Sequence, residues 1–404
     1  MLLENISPLA ENKFLESGFE VASISKSLAQ EELLKKIKDV SILGIRSKTT
    51  ISKEILDYAD SLVGIGAFCI GTDQIDVYEC SKKGVGVFNA PFSNTRSVVE
   101  LAMGEIIMLL RGVFDKNKDM HNCIWNKSSE NSLEVRGKNL GIVGYGKIGS
   151  QLSVLAEMLG MNVYYFDLQK KLSLGNAKKC SSLEKLLNVS DIVTLHVDGN
   201  KGNRGFFGRK EFEAMKDKSY FLNLSRGFVI DTEVLGKYLD KGKILGAAID
   251  VFENEPSNNK EPFKSILQNK RNVILTPHIG GNTLEAQENI ASFVSDSLNS
   301  FYFHGDTSLS VNFPNLSLDS KNYEIRFSHL HKNIPGVLAN INKIISKHNI
   351  NIAGQYLKTR DNLGYVVTDI EGKFSKEMAD ELRKVDGTIS LRIVGHKSTK
   401  HSGF

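Results

Sequence analysis

The spacing of hydrophobic positions changes from region to region along this chain, and each pattern predicts its elements. Up to about Asn89, short apolar runs (VSILGIR, SLVGIGAF, VGVFNA) alternate with polar helical stretches, which predicts parallel α/β units. The stretch NTRSVVELAMGEIIMLLRG then reads as one long helix with Asn94 as its N-cap. The runs LGIVGYG, NVYYFD, DIVTLHV, SYFLNLS, ILGAAIDV and NVILTP that follow are apolar on both faces and β-branched, as strands covered by helices must be. After Pro314 the order becomes strand YEIRFSHL, helix PGVLANINKIISKH, strands NIAGQYLKT and GYVVTDI, helix SKEMADELRKV and strand TISLRIV. Val337, Leu338, Ile341, Ile344 and Ile345 share one face of the first of these helices, and Met378, Leu382 and Val385 one face of the second. Such a βαββαβ order predicts a small ferredoxin-like domain, entered through the linker FPNLSLDSKN.

Length and composition narrow the class without naming a chemistry. A chain of 404 residues is too long for one ordinary core. Its 51 basic and 47 acidic residues balance to +4, which argues against a nucleic-acid partner. No apolar run reaches membrane-span length, and Glu4 and Asn5 interrupt the opening Met1-Leu2-Leu3, so neither a membrane segment nor a secretory signal is expected. Cys69, Cys80, Cys123 and Cys180 are irregularly spaced, which predicts neither disulfides nor a metal site and places the protein in a reducing cytoplasm.

The first chemical motif is Gly144-Tyr145-Gly146-Lys147-Ile148-Gly149, a G-x-G-x-x-G set between a strand and a helix. Gly144 is expected to make the tight turn, Gly146 to admit a pyrophosphate to the backbone, and Gly149 to let the helix pack on the sheet. The next strand ends at Asp167, where a carboxylate would accept bonds from ribose hydroxyls and repel a 2′-phosphate. NAD is therefore the expected cofactor.

Later strands end in residues suited to hydride-transfer chemistry: Arg226 in NLSRGFVID, Glu255 in AIDVFENEP and His278 in LTPHIGGNT. Taken singly, Arg226 also reads as a surface ion pair, Glu255-Pro256 as a turn, and His278 as a satisfied core residue. In this order after the fingerprint, the three motifs resemble the D-isomer-specific 2-hydroxyacid dehydrogenases. The flanking segments LGIRSKT, GAFCIGTDQID, WNK and LTPHIGGNTLEAQENI resemble the branch of that family that oxidises 3-phospho-D-glycerate, and the last domain resembles an ACT regulatory domain.

The resemblance implies roles for particular positions. His278 would be the acid/base, Glu255 its orienting carboxylate, and Arg226 the ligand of the substrate carboxylate. Asp250 would meet the nicotinamide carboxamide, with further cofactor contacts from Lys147, Ile148, Leu224, Ser225, Ile279, Gly280 and Gly281. Arg46 and Lys127 would hold the distal phosphate of 3-phosphoglycerate and Asn94 would line the same cleft. In the ACT domain, His331, Asn333 and Asn351 match positions that bind L-serine at a subunit interface, which implies feedback control of a homodimer or homotetramer. The implied architecture is α/β, with two Rossmann-like doubly wound parallel-sheet domains and the ferredoxin-like domain. Residues 1–93 and 282–314 would form the substrate domain, 94–281 the NAD domain, 323–396 the ACT domain and 397–404 a flexible tail. Asp73, Asp198 and Ile334 depart from the family pattern, Ile334 replacing an expected arginine. Two other readings stay open: another D-2-hydroxyacid dehydrogenase, and an NAD-sensing protein akin to the family's transcriptional corepressors.

Overall fold

The opening apolar runs become three short parallel strands, β1 (Ile42–Ile45), β2 (Gly64–Ala67) and β3 (Gly86–Asn89), side by side in that order. Parallel bridges from Leu2 to Gly44 and to Ser23 extend the sheet on its β1 side. Glycines recur in these strands because a helix lies close on them. A Cβ at Gly66 would fall 2.7 Å from Leu298 and Val294, and one at Gly86 would fall 2.8 Å from Phe301. All three side chains belong to the 21-residue helix Leu284–His304, an element that the spacing reading leaves unassigned.

The computed structural model describes residues 1–256, 260–318, 323–372 and 375–395. It divides into two units, Met1–Pro91 with Gln287–Phe404, and Phe92–Ala286. In the second unit seven parallel strands run β4 (Asn139–Val143), β5 (Asn162–Phe166), β6 (Lys178–Lys179), β7 (Ile192–Leu195), β8 (Ser219–Asn223), β9 (Ile244–Ile249) and β10 (Val273–Leu275). Their order across the sheet is β10-β9-β8-β7-β4-β5-β6. The order reverses between β4 and β7, and such a switch point opens a crevice at the carboxyl ends of the strands. The helix Thr95–Arg111 covers one face with Val98, Val99, Ala102, Ile106 and Leu109, and ends on Gly112 in the left-handed conformation. Asn94 does occupy the N-cap position, but its side chain makes no capping bond.

The C-terminal segment folds as β11 (Ile325–Lys332), the helix Val337–Lys347, β12 (Asn351–Arg360), β13 (Leu363–Glu371), the helix Lys376–Arg383 and β14 (Thr388–Gly395). These strands form an antiparallel sheet in the order β12-β13-β11-β14, the ferredoxin-like arrangement that the pattern predicts. Phe327, Val337, Ile341, Ile345, Met378 and Leu382 make its core. The expected tail 397–404 lies outside the described residues, as do the last residue of the expected ACT span and 319–322 of the linker.

Candidate active site

β8, β9 and β10 are neighbours, so the residues that leave their carboxyl ends are brought together although far apart in sequence. Arg226 follows β8, Asp250 and Glu255 follow β9, and His278 follows β10. His278 Nδ1 lies 2.8 Å from Glu255 Oε2. The other Glu255 oxygen accepts the Phe252 amide at 3.0 Å, which fixes the carboxylate. Hydrogen bonding to Glu255 raises the His278 pKa above its ordinary value against the pull of burial, with help from the charges of Glu255 and Asp250. For Glu255, burial acts upward, but the bonds from His278 and Phe252 and the charges of His278 and Arg226 leave it below its ordinary value. Arg226 is half-buried, its guanidinium donates to the Ser225 carbonyl at 2.8 Å, and its charge acts on both members of the pair.

His278 holds a left-handed backbone, φ +54°, uncommon away from glycine. Asp250 explains how that conformation persists. Its carboxylate is buried and accepts the Thr276 hydroxyl (2.6 Å), the Ile279 amide (2.8 Å) and the Gly280 amide (2.8 Å), while its backbone carbonyl accepts the His278 amide (2.8 Å). Asp250 is thus the clasp of the histidine loop, a role that no motif signals. Asn223 does the same for Arg226. Its buried side chain accepts the Ser225 amide and hydroxyl and donates to the Arg226 carbonyl. A polar residue inside the apolar run SYFLNLS was the available sign.

His196, also at a strand end, took the other course open to such a histidine. Desolvation pushes its pKa down to about 4, and it bonds Thr194 at 3.0 Å. A neutral, buried imidazole of that kind is unsuited to proton exchange.

The fingerprint glycines differ physically. Gly144 has φ +90°, and a Cβ there would meet the His196 carbonyl at 2.4 Å. A Cβ at Gly149 would lie 2.3 Å from the Gly144 carbonyl, whereas one at Gly146 would meet no heavy atom within 4 Å. Gly146 therefore borders open space at the N-terminus of the helix Lys147–Met158, where amides without helical acceptors suit a pyrophosphate. Asp167 Oδ2 accepts the Tyr145 amide and Oδ1 the Gln169 amide, both at 2.8 Å, which fixes the carboxylate beside the fingerprint. The donor set and the open cradle fit a dinucleotide. Lys147 and Ile148 open the helix, Leu224 and Ser225 lead into Arg226, and Ile279, Gly280 and Gly281 complete the histidine loop. Asp198 closes its own turn by accepting from Asn200 and Asn203, and Asp73 is exposed.

Asn94 is turned toward this loop. A Cβ at Gly281 would overlap its Nδ2, and its Oδ1 is buried without a partner among the described residues. Arg46 follows β1 in the other unit. Lys127 does not join the trio within its unit. Its neighbours Asn126 and Ser128 line a cavity of about 960 Å³ that also takes in Tyr220, Ile244 and Val273, near the starts of β8, β9 and β10. That is the sheet edge opposite His278.

The expected effector residues are likewise split. His331 pairs with Gly364 at one end of β13, and Asn351 pairs with Glu371 at the other, about 23 Å away at strand rise. His331 is buried, bonded through Nδ1 to the Lys332 carbonyl at 2.7 Å, with Nε2 unpartnered among the described residues. Asn333 is exposed and donates to the Asp361 carbonyl in the β12–β13 turn.

Comparison with known proteins places this geometry. Residues 103–280 match the model of the D-isomer specific 2-hydroxyacid dehydrogenase NAD binding domain, and 327–390 that of an AHAS small subunit-like ACT domain. A D-3-phosphoglycerate dehydrogenase of Dictyostelium discoideum is 48% identical over 98% of this chain and 96% of its own length. The enzyme of that name from Escherichia coli K12 is 45% identical over 98% and 97%. Among solved structures, a D-lactate dehydrogenase from Aquifex aeolicus, complexed with NAD and lactic acid, aligns with a TM-score of 0.65 and 25% identity over 74% of this chain and 95% of its own. No helix among the described residues is long and apolar enough to cross a membrane.

Proposed function

We propose, since this chain belongs to the D-isomer specific 2-hydroxyacid dehydrogenases, that it oxidises 3-phospho-D-glycerate to 3-phosphohydroxypyruvate with NAD, the first step of L-serine biosynthesis. The observation that carries the reading is the Glu255–His278 pair, with Arg226 acting on it, at the carboxyl edge of a sheet that also presents an open dinucleotide cradle. NAD, when bound, supplies the acceptor for the hydride that leaves C2 of the hydroxy acid.

The chain's own residues do the rest. Glu255 takes a hydrogen bond from Nδ1–H of His278, which leaves the Nε2 lone pair free to receive the C2 hydroxyl proton. As that proton arrives, the Glu255 carboxylate stabilises the imidazolium. Arg226 binds the substrate carboxylate through its forked guanidinium and holds C2 before the base. Asp250 keeps the histidine loop in the conformation that aims the ring. Arg46 takes the distal phosphate, which separates this substrate from lactate or glycerate. Lys127 is not part of the reading within one chain, because the loop around it borders the opposite sheet edge.

The effector reading needs two copies. β12 is an edge strand, and antiparallel pairing of β12 with its counterpart across a two-fold would carry Asn351 of one copy to the end of the sheet where the other holds His331 and Asn333. L-Serine bound there would find polar groups for its carboxylate, ammonium and hydroxyl, and the orphan Nε2 of His331 would gain a partner. A cytoplasmic location agrees with this role.

The deciding experiment is NADH absorbance on adding 3-phosphoglycerate and NAD to the purified protein. D-Lactate, D-glycerate and D-2-hydroxyglutarate serve as controls. Turnover preferring one of the controls would replace the substrate assignment, and no turnover with any would favour the NAD-sensing alternative.

A further inference from the structure

The first described residues do more than begin a sheet. Leu2 pairs with Gly44 in parallel register. Two residues on, Glu4 and Arg46 leave the carboxyl edge of the same sheet on neighbouring strands. Glu4 is a carboxylate only 8% exposed, and both of its oxygens are used. Oε2 accepts the Lys48 amide at 3.0 Å and Oε1 the Thr49 amide at 2.8 Å. To reach that position the chain turns sharply, with Glu4 at φ +64° and Asn5 at +53°, two consecutive non-glycine residues in the left-handed region. From the other side, Gln74 Nε2 donates to the Arg46 carbonyl at 2.5 Å. The turn Arg46–Thr49 is thus clamped at three backbone groups, while the Arg46 guanidinium has no ion-pair partner among the described residues. A rigid backbone with an uncommitted cation is what an anion site requires.

We propose that Glu4 is a positioning residue for substrate recognition: its carboxylate locks the turn 46–49 so that Arg46 is presented to the distal phosphate in one orientation. The proposal rests on the reading of Arg46 as the phosphate ligand. The competing role is a staple that only fastens the first strand to the sheet, and the two roles differ in what they predict for substrate affinity. Glu4→Gln keeps the shape but offers one oxygen where two amides need acceptors, so one of them faces an NH2 group.

The test compares full-length wild type, Glu4→Gln, Arg46→Ala and the double variant in steady-state kinetics with 3-phosphoglycerate, alongside NAD affinity and melting temperature. Glu4→Gln is expected to raise KM about tenfold with kcat within about twofold and NAD affinity unchanged. Arg46→Ala raises KM further, and adding Glu4→Gln to it has no additional effect, because Glu4 acts through Arg46. A raised KM in Arg46→Ala with an unchanged KM in Glu4→Gln defeats the proposal alone. So does a Glu4→Gln effect that persists in full on the Arg46→Ala background. An unchanged KM in Arg46→Ala defeats the phosphate-ligand reading and the proposal with it. Should Glu4→Gln not fold, Glu4→Asp, which keeps the charge but falls short of the amides by one methylene, is judged by the same criteria, with a smaller KM increase expected.

Discussion

The His278 Nδ1 and Glu255 Oε2 atoms stand 2.8 Å apart across 23 residues of sequence, and the bond sets both the tautomer and the basicity of the imidazole. In the oxidation direction the base must be unprotonated, so the rate rises with pH through the His278 pKa. That pKa lies above its ordinary value because of Glu255. Glu255→Gln removes the carboxylate, so the acid limb of kcat/KM for oxidation moves to lower pH while the maximum rate falls. His278→Gln lowers oxidation by about 10²-fold or more at every pH. A pH–rate series on the three proteins checks both, and an unmoved limb in Glu255→Gln would exclude the pairing as the cause.

A Cβ at Gly146 would enter open space, whereas one at Gly149 would enter packed protein. Gly149→Ala drives a methyl into the Gly144 carbonyl, so its melting temperature falls together with NAD binding. Gly146→Ala meets nothing in the protein, so its melting temperature holds while NAD binds about tenfold more weakly. Thermal melts and fluorescence titration with NADH measure the two effects. Equal NADH affinity in Gly146→Ala and wild type would remove that glycine from the cradle.

Glu105 is buried in the helix Thr95–Arg111 with neither carboxyl oxygen partnered among the described residues. Burial first, and the charge of Asp250 second, push its pKa up from 4.5 to about 8. The folded state therefore holds this proton more tightly than the unfolded state does. Its stabilising effect is complete below pH 4.5 and is lost as pH rises toward 8, at about 1.4 kcal/mol per unit. Glu105→Gln flattens that slope, so the variant gains melting temperature over wild type at pH 8 relative to pH 5. Parallel melting curves across this range would show that Glu105 is not the source.

If L-serine is the effector of the ACT domain, it is expected to lower NADH production, and Asn351→Ala to relieve the inhibition without changing the rate in its absence. Asn351 lies at the far end of the sheet from His331, so the effect requires association and weakens when the protein is diluted below its dimerisation range. Activity titrated with serine at several protein concentrations reads this out. A flat response into the millimolar range retires the effector role.

Strand and helix identity was legible in residue order because periodicity is local. A short, β-branched apolar run bounded by turn residues reads as a covered strand, and the βαββαβ alternation predicts the ferredoxin-like sheet. The fingerprint was legible for the same reason, since strand, glycines, helix and Asp167 are consecutive. The helix Leu284–His304 carried a usable stripe in Ile290, Val294, Leu298 and Phe301, but buried Ala286, Ala291 and Ser295 give no such sign by residue type.

What only the tertiary structure decided is which distant residues share an edge. Strand order set Arg226, Asp250, Glu255 and His278 at neighbouring carboxyl ends, and gave Asp250 and Asn223 the hydrogen-bonding work of holding two loops. It also placed the surroundings of Lys127 at the opposite edge and parted His331 from Asn351. Side-chain spacing records the local conformation of a segment. The contacts between segments depend on the order in which strands pair, and no single segment contains that order.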